Sequence, residues 1–436
     1  MIKFLLPLFL ILPVTAADEL PAVAEELPTA AEKLPAVTEK LPGSTDKTKV
    51  LFISPPELKE AWEKYIALRA EQGTPMMLIT TEEIAQKYKG LDLQEKIRIC
   101  AREYIDQHSY HTIILGGDSS GNAGLVPDRD TYHKNMWGND QDIPSDLYYI
   151  SPSNWDHDQD GVYGEFEEDR KAITYPDGSV AIGRIPVRTA EDIAAYGEKV
   201  KAHLAQKPSP QLALTCEVRG AYAKVFKAGS QIIPEAWPAG NVYFYFKDKT
   251  SWDKEEQPGS FKLNSANLAE KFAAEGMNKW HIHGHGLIDR WVLANKQAFG
   301  YEDVKNLKNQ NQPLVITTVS CFTGHFDAAK DPCITEAMLR QPNGGAVVIV
   351  APAREGKPHF HEPETDFALM VREGKLDGTT ETMAKFWVAA LGKKKNVGMA
   401  LADSKLQLAE DAEKSATYHQ GICELNLLGD PTLPVR

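Results

Sequence analysis

Short runs of aliphatic and β-branched residues alternate with amphipathic helical stretches along most of this chain, and that alternation constrains its architecture more than any other feature. The runs at residues 50–54, 76–80, 112–115, 180–185, 212–216 and 345–350 stay largely apolar on both faces of a period-two pattern. Strands buried on both faces are the habit of parallel sheets whose crossovers are helices. Helices are predicted at 56–72, 94–107, 190–205 and 267–274, with a short one at 336–339. The helix at 190–205 places Ile193, Tyr196, Val200 and Leu204 on one face. The chain after 350 reads as helical, most clearly at 382–391 and 397–413. The predicted class is α/β, with two subdomains that each hold a mainly parallel sheet flanked by helices. Lys207-Pro-Ser-Pro210 is the joint, giving an N-terminal subdomain at 48–207 and a C-terminal one at 208–436, which carries the candidate site described next.

Open parallel sheets carry their sites just beyond the carboxyl ends of their strands. Two further runs end there in reactive side chains. Trp280-His-Ile-His-Gly-His-Gly286 leads to an imidazole, and Leu314-Val-Ile-Thr-Thr-Val-Ser-Cys321 leads to a thiol. On neighbouring strands the two groups meet at one edge, as a thiolate nucleophile beside a general acid. Cys321 is the candidate nucleophile, because a strand end followed by Phe322-Thr-Gly324 exposes the sulfur. His285 is preferred to His283 because it comes last before the turn and precedes Gly286, where the missing Cβ admits a substrate carbonyl. The N–H groups of Gly286 and Cys321 are the candidate oxyanion donors. Glu217, just past a strand end, is the candidate for orienting His285. His281, His283 and His285 share one strand face, so a zinc hydrolase is a competing reading.

Asp156-His-Asp-Gln-Asp160-Gly161 with Glu167 fits the D-x-D-x-D-G-x5-E spacing of a calcium loop. Alternate carboxylates converge on one hard cation there, so Asp156, Asp158, Asp160 and Glu167 are the expected ligands of a structural calcium. No organic cofactor is expected. The formal charge of −13, from 61 acidic against 48 basic residues, argues against nucleic acid as a partner.

Residues 1–17 read as a secretory signal, with Lys3 ahead of an apolar core and Val14-Thr15-Ala16 as the cleavage site. That core is too short to span a bilayer, so an exported chain is expected, secreted, periplasmic or cell-surface, without a membrane span. Residues 18–47 repeat Leu-Pro every seven residues, at Leu20, Leu27, Leu34 and Leu41. Proline at that period excludes a coiled coil and marks a disordered linker or pro-segment. Five cysteines leave at least one thiol free or paired outside the chain, which suits a nucleophile.

These residues resemble the caspase–legumain–gingipain clan, and gingipain-type cysteine peptidases most closely. Gly284-His285-Gly286 looks like their histidine motif. Val319-Ser-Cys-Phe-Thr-Gly324 with Phe326, followed by Asp331-Pro-Cys-Ile-Thr-Glu-Ala-Met-Leu-Arg340, looks like their cysteine segment. Leu428-Gly-Asp-Pro-Thr432 resembles the end of their catalytic domain. Gly116-Gly-Asp118, Val126-Pro127 and Gly183-Arg-Ile-Pro186 resemble landmarks of their first subdomain. The resemblance implies a caspase-like fold, bound calcium, secretion and zymogen processing, with Cys321 as nucleophile and His285 as acid/base. The loop at 351–360 departs from the gingipain pattern, so a preference for cleaving after Arg or Lys does not carry over.

The expectation is therefore a secreted cysteine endopeptidase that hydrolyses peptide bonds in protein substrates by a Cys-His dyad through a thioester. The alternatives are a catalytically silent gingipain-like binding or assembly module, and the zinc hydrolase.

Overall fold

Period-two burial decides which way each strand faces. In the first strand, β1 (Lys49–Ser54), Val50 and Phe52 enter one apolar cluster while Leu51 and Ile53 enter another on the opposite face. The computed structural model describes residues 49–120, 125–135, 138–170, 173–216, 240–246, 261–274, 276–293, 297–328, 331–356 and 378–436. β2 (Met76–Thr80), β3 (Tyr110–Gly116), the hairpin of β4 (Asp130–Lys134) and β5 (Asp140–Pro144), and β6 (Ala181–Ile185) complete the first stretch. The second holds β7 (Gln211–Cys216), β8 (Asn241–Phe246), β9 (Phe261–Lys262) and β10 (Lys279–His283). A small antiparallel sheet of β11 (Gly286–Leu287), β12 (Arg290–Val292) and β13 (Ala298–Gly300) follows. Then come β14 (Leu314–Thr318), β15 (Ala346–Pro352) and β16 (Leu425–Gly429).

Among the described residues eleven of these strands form one sheet, in the order β2-β1-β3-β6-β16-β15-β14-β10-β7-β8-β9. Every pairing in it is parallel except β15 with β16. The sheet is thus two parallel halves running in opposite directions, joined where β16 lies between β6 and β15. The α/β class is the expected one, but the two mainly parallel sheets expected, one in each subdomain, are merged by β16 into a single sheet. The readings of residues 1–17 and 18–47, as signal and linker, lie outside the described residues.

Helices begin where the sequence supplies caps. Thr80 accepts from Glu83 N–H while the Glu83 carboxylate accepts from Thr80 N–H at 2.7 Å, and Thr189 with Asp192 repeats the arrangement. The end of the chain departs from expectation. The single helix expected at 397–413 breaks into Val397–Leu406 and Ala409–Ala412, and the helix Ala416–Glu424 leads into β16. Leu425-Asn-Leu-Leu-Gly429 is fully buried, and its pairing with β15, which no local pattern records, makes it a strand.

Most first-half landmarks turn out to be structural. The buried Arg184 guanidinium donates to both oxygens of the Asp146 carboxylate at 2.6 and 2.9 Å, and to the carbonyls of Gly117, Val126 and Pro127. Asp118 accepts from Arg188, and from Arg340 at 2.9 Å, tying the end of β3 to the helix Ile334–Arg340. Asp430 accepts from Tyr65 at 2.6 Å and from Arg69 at 3.1 Å, locking the helix Lys59–Glu71 to the turn after β16. A buried pair of this kind resists loss of either partner, since the survivor is a stranded charge.

Candidate active site

β10 and β14 are paired neighbours, with His281 opposite Thr317 and Ile282 opposite Thr318. The ladder continues one step further, where Val319 N–H donates to Ile282 O at 3.1 Å. His285 and Cys321 therefore leave adjacent strand ends on one edge of the sheet. A Cβ built on Gly286 would lie 2.6 Å from the Cys321 carbonyl oxygen and 2.8 Å from Ser320 Cβ. The missing Cβ of Gly286 thus lets this turn pack on the backbone of Cys321. His285 is exposed, and its carbonyl accepts from Val292 N–H at 3.0 Å, which starts the β11–β12 hairpin.

The other two histidines point inward. His281 is buried and its Nδ1 lies 2.7 Å from Thr317 Oγ1; burial lowers its pKa to about 3. Burial lowers His283 to about 4, with the neighbouring His285 adding to the shift. Among the described residues, the clusters that gather three metal-ligating atoms do not include these three histidines together.

Cys321 is partly exposed, and its Sγ faces Gly356 O at 3.8 Å. Burial pushes the thiol up to about 11, and the carboxylates of Glu424 and Glu355 push the same way. Phe322 follows in the left-handed region at φ 60°, with its N–H donating to Arg354 O at 2.6 Å. Gly324 N–H donates to Pro352 O at 3.0 Å, so the chain leaving β15 forms the wall beside the sulfur. Arg354 reaches back to Asp327 at 2.6 Å. Neither Glu355 nor Glu424 carried a sequence signal, because the fold alone brings them to the thiol. Glu217, adjoining β7, lies outside the described residues.

The acidic loop gathers a different set from the one expected. Asp156, Asp158 and Asp169 converge within 4.8 Å, as do Asp158, Asp160 and Glu165. Glu167 stands aside, with its carboxylate 3.9 Å from Arg170. The chain turns at Gly161 and Gly164, both at positive φ, and brings Glu165 and Asp169 round instead. Asp156 is buried, and its Oδ1 has no hydrogen-bond partner. An orphaned carboxylate oxygen among hard donors fits a calcium-type cation. A third cluster, His133, His419 and Cys423, is already hydrogen-bonded: His419 Nε2 lies 2.9 Å from Gly164 O and Nδ1 lies 2.5 Å from the Tyr175 hydroxyl.

Residues 44–436 match the model of peptidase family C25. The chain belongs to peptidase family C25. It is a cysteine-type peptidase, with proteins as its substrates. A search of curated proteins by sequence found no match. Among solved structures, the crystal structure of the Arg-specific cysteine proteinase gingipain R (RgpB) is similar at 16% identity and a TM-score of 0.60, covering 89% of this chain and 78% of that one. The complex of pro- and mature domains of RgpB from Porphyromonas gingivalis is similar at 17% identity and a TM-score of 0.58, covering 89% and 80%. These likenesses place the peptidase in the gingipain fold. No helix among the described residues is long and apolar enough to cross a membrane.

Proposed function

We propose that this peptidase cleaves internal peptide bonds by a Cys321–His285 dyad through a thioester. The observation that carries the reading is the packing of Gly286 on the Cys321 backbone, which sets the imidazole and sulfur on adjoining strand ends. Cys321 gives its proton to His285 and the sulfur bonds to the peptide carbonyl carbon. As the tetrahedral intermediate collapses, the C–N bond breaks and His285 hands the proton to the leaving amine. His285 then takes a proton from water, the hydroxide displaces the sulfur, and the acid is released. The N–H groups of Gly286 and Cys321 are assigned to the oxyanion, and Glu217 to orienting His285.

Asp156, Asp158 and Asp160, with Glu165 and Asp169 in place of Glu167, would hold a calcium-type cation, which would stiffen the loop. Export by residues 1–17 completes the reading. Mass spectrometry of the protein quenched during turnover tests the dyad: a substrate acyl group should be found on Cys321. Full activity in Cys321→Ala would end the proposal.

A further inference from the structure

We infer that Leu287 and Ile288 form the subsite for the side chain on the leaving-group side of the scissile bond, and that this subsite selects an apolar residue. The inference rests on the dyad proposed above. Four large apolar side chains are exposed among the described residues, and two of them, Leu287 at 51% and Ile288 at 36%, are adjacent at this turn. Scattered exposed aliphatics are ordinary, but a neighbouring pair that begins two residues past His285 is placed beside the proposed acid/base.

The turn is held rigidly. Leu287 pairs with Arg290 and Gly286 with Trp291 across the hairpin. Ile288 O accepts from Ile334 N–H at 2.7 Å, which fixes the tip to the helix that follows the cysteine segment. Trp291 is fully buried, stacked edge-on with Trp280 at 5.3 Å. A scaffold this well anchored presents two aliphatic groups to solvent without slack, so little ordering is lost when a partner covers them.

The mechanism fixes the direction. His285 protonates the departing amine, so the residue carrying that amine lies on the imidazole's side. The hairpin is the chain's continuation on that side. The Gly356 carbonyl faces the sulfur, beside the buried Arg354 and Glu355.

The test uses the full chain and paired peptides that differ only in the residue after the scissile bond, leucine in one and glycine in the other. The parent protein should favour the leucine peptide by about ten- to a hundredfold in kcat/KM, the range one hydrophobic pocket supplies. In Leu287→Ser/Ile288→Ser that ratio should fall toward one, while Leu287→Met should retain most of it. A parent ratio near one would overturn the inference. So would a double variant that keeps the parent ratio, even if slower on both peptides, because a merely structural role moves both alike. If Cys321→Ala remained active, the dyad itself would be wrong, a separate outcome from loss of the subsite.

Discussion

Replacing Glu355 by Gln removes one of the two carboxylates that hold the Cys321 thiol protonated. Burial, Glu424 and Glu355 together lift the thiol from an ordinary 9.0 to about 11. Two pKa units correspond to about 2.7 kcal/mol and leave about a hundredfold less thiolate at pH 8. Two like unit charges about 6 Å apart repel by about 0.7–2.8 kcal/mol, between bulk water and a protein-surface dielectric; Glu355 acts on this thiol less than burial and Glu424 do, so the lower end applies. Glu355→Gln is therefore expected to lower the thiol pKa by about half a unit and to speed alkylation of Cys321 by iodoacetamide about threefold at pH 8. The sign is fixed, because a carboxylate beside a thiolate disfavours the anion, so its removal moves the alkylation midpoint to lower pH. Reaction rates from pH 7 to 10, with Cys321 labelling quantified by mass spectrometry, read this directly. An unchanged midpoint, or one moved upward, would refute the electrostatic account of this thiol.

Acid should unfold the protein early. Burial depresses His203, His283 and His419 to about 4 and His281 to about 3, so the stability these neutral rings carry is full above pH 6.5 and is lost as pH falls from 6.5 toward 4. Each withdraws on the order of 2 kcal/mol by pH 5, and thermal melts at pH 7 and 5 should show a large drop in Tm. Gly286→Ala forces a Cβ against the Cys321 carbonyl, which should lower activity at least about tenfold and stability by about 1–3 kcal/mol, measured by turnover and urea unfolding. Removing calcium with a chelator should lower Tm by about 5 °C in the parent protein, and Asp156→Asn should abolish most of that response in differential scanning fluorimetry.

The placement of His285 and Cys321 on adjoining strand ends was legible in the sequence because its information is local. Two apolar runs end in Gly286 and Cys321, and parallel neighbours must end on the same edge. Glu424 was invisible in that reading, since only the insertion of β16 carries the end of the helix Ala416–Glu424 to the thiol. The motif spacing selected Glu167, which presumes an incoming helix; the positive-φ glycines Gly161 and Gly164 instead turn the chain so that Glu165 and Asp169 face the loop. The Gly116–Asp118 and Gly183–Pro186 landmarks were recognised as marks of a family, but their role emerges only where Arg184 and Asp118 join distant segments.

Until Leu425–Gly429 arrives, β6 and β15 have no partner between them. A nascent or truncated chain lacking those five residues carries two raw edges of unpaired N–H and C=O groups, the kind that recruit strands from other molecules. Cuts upstream of residue 425 should yield aggregates rather than separate working halves.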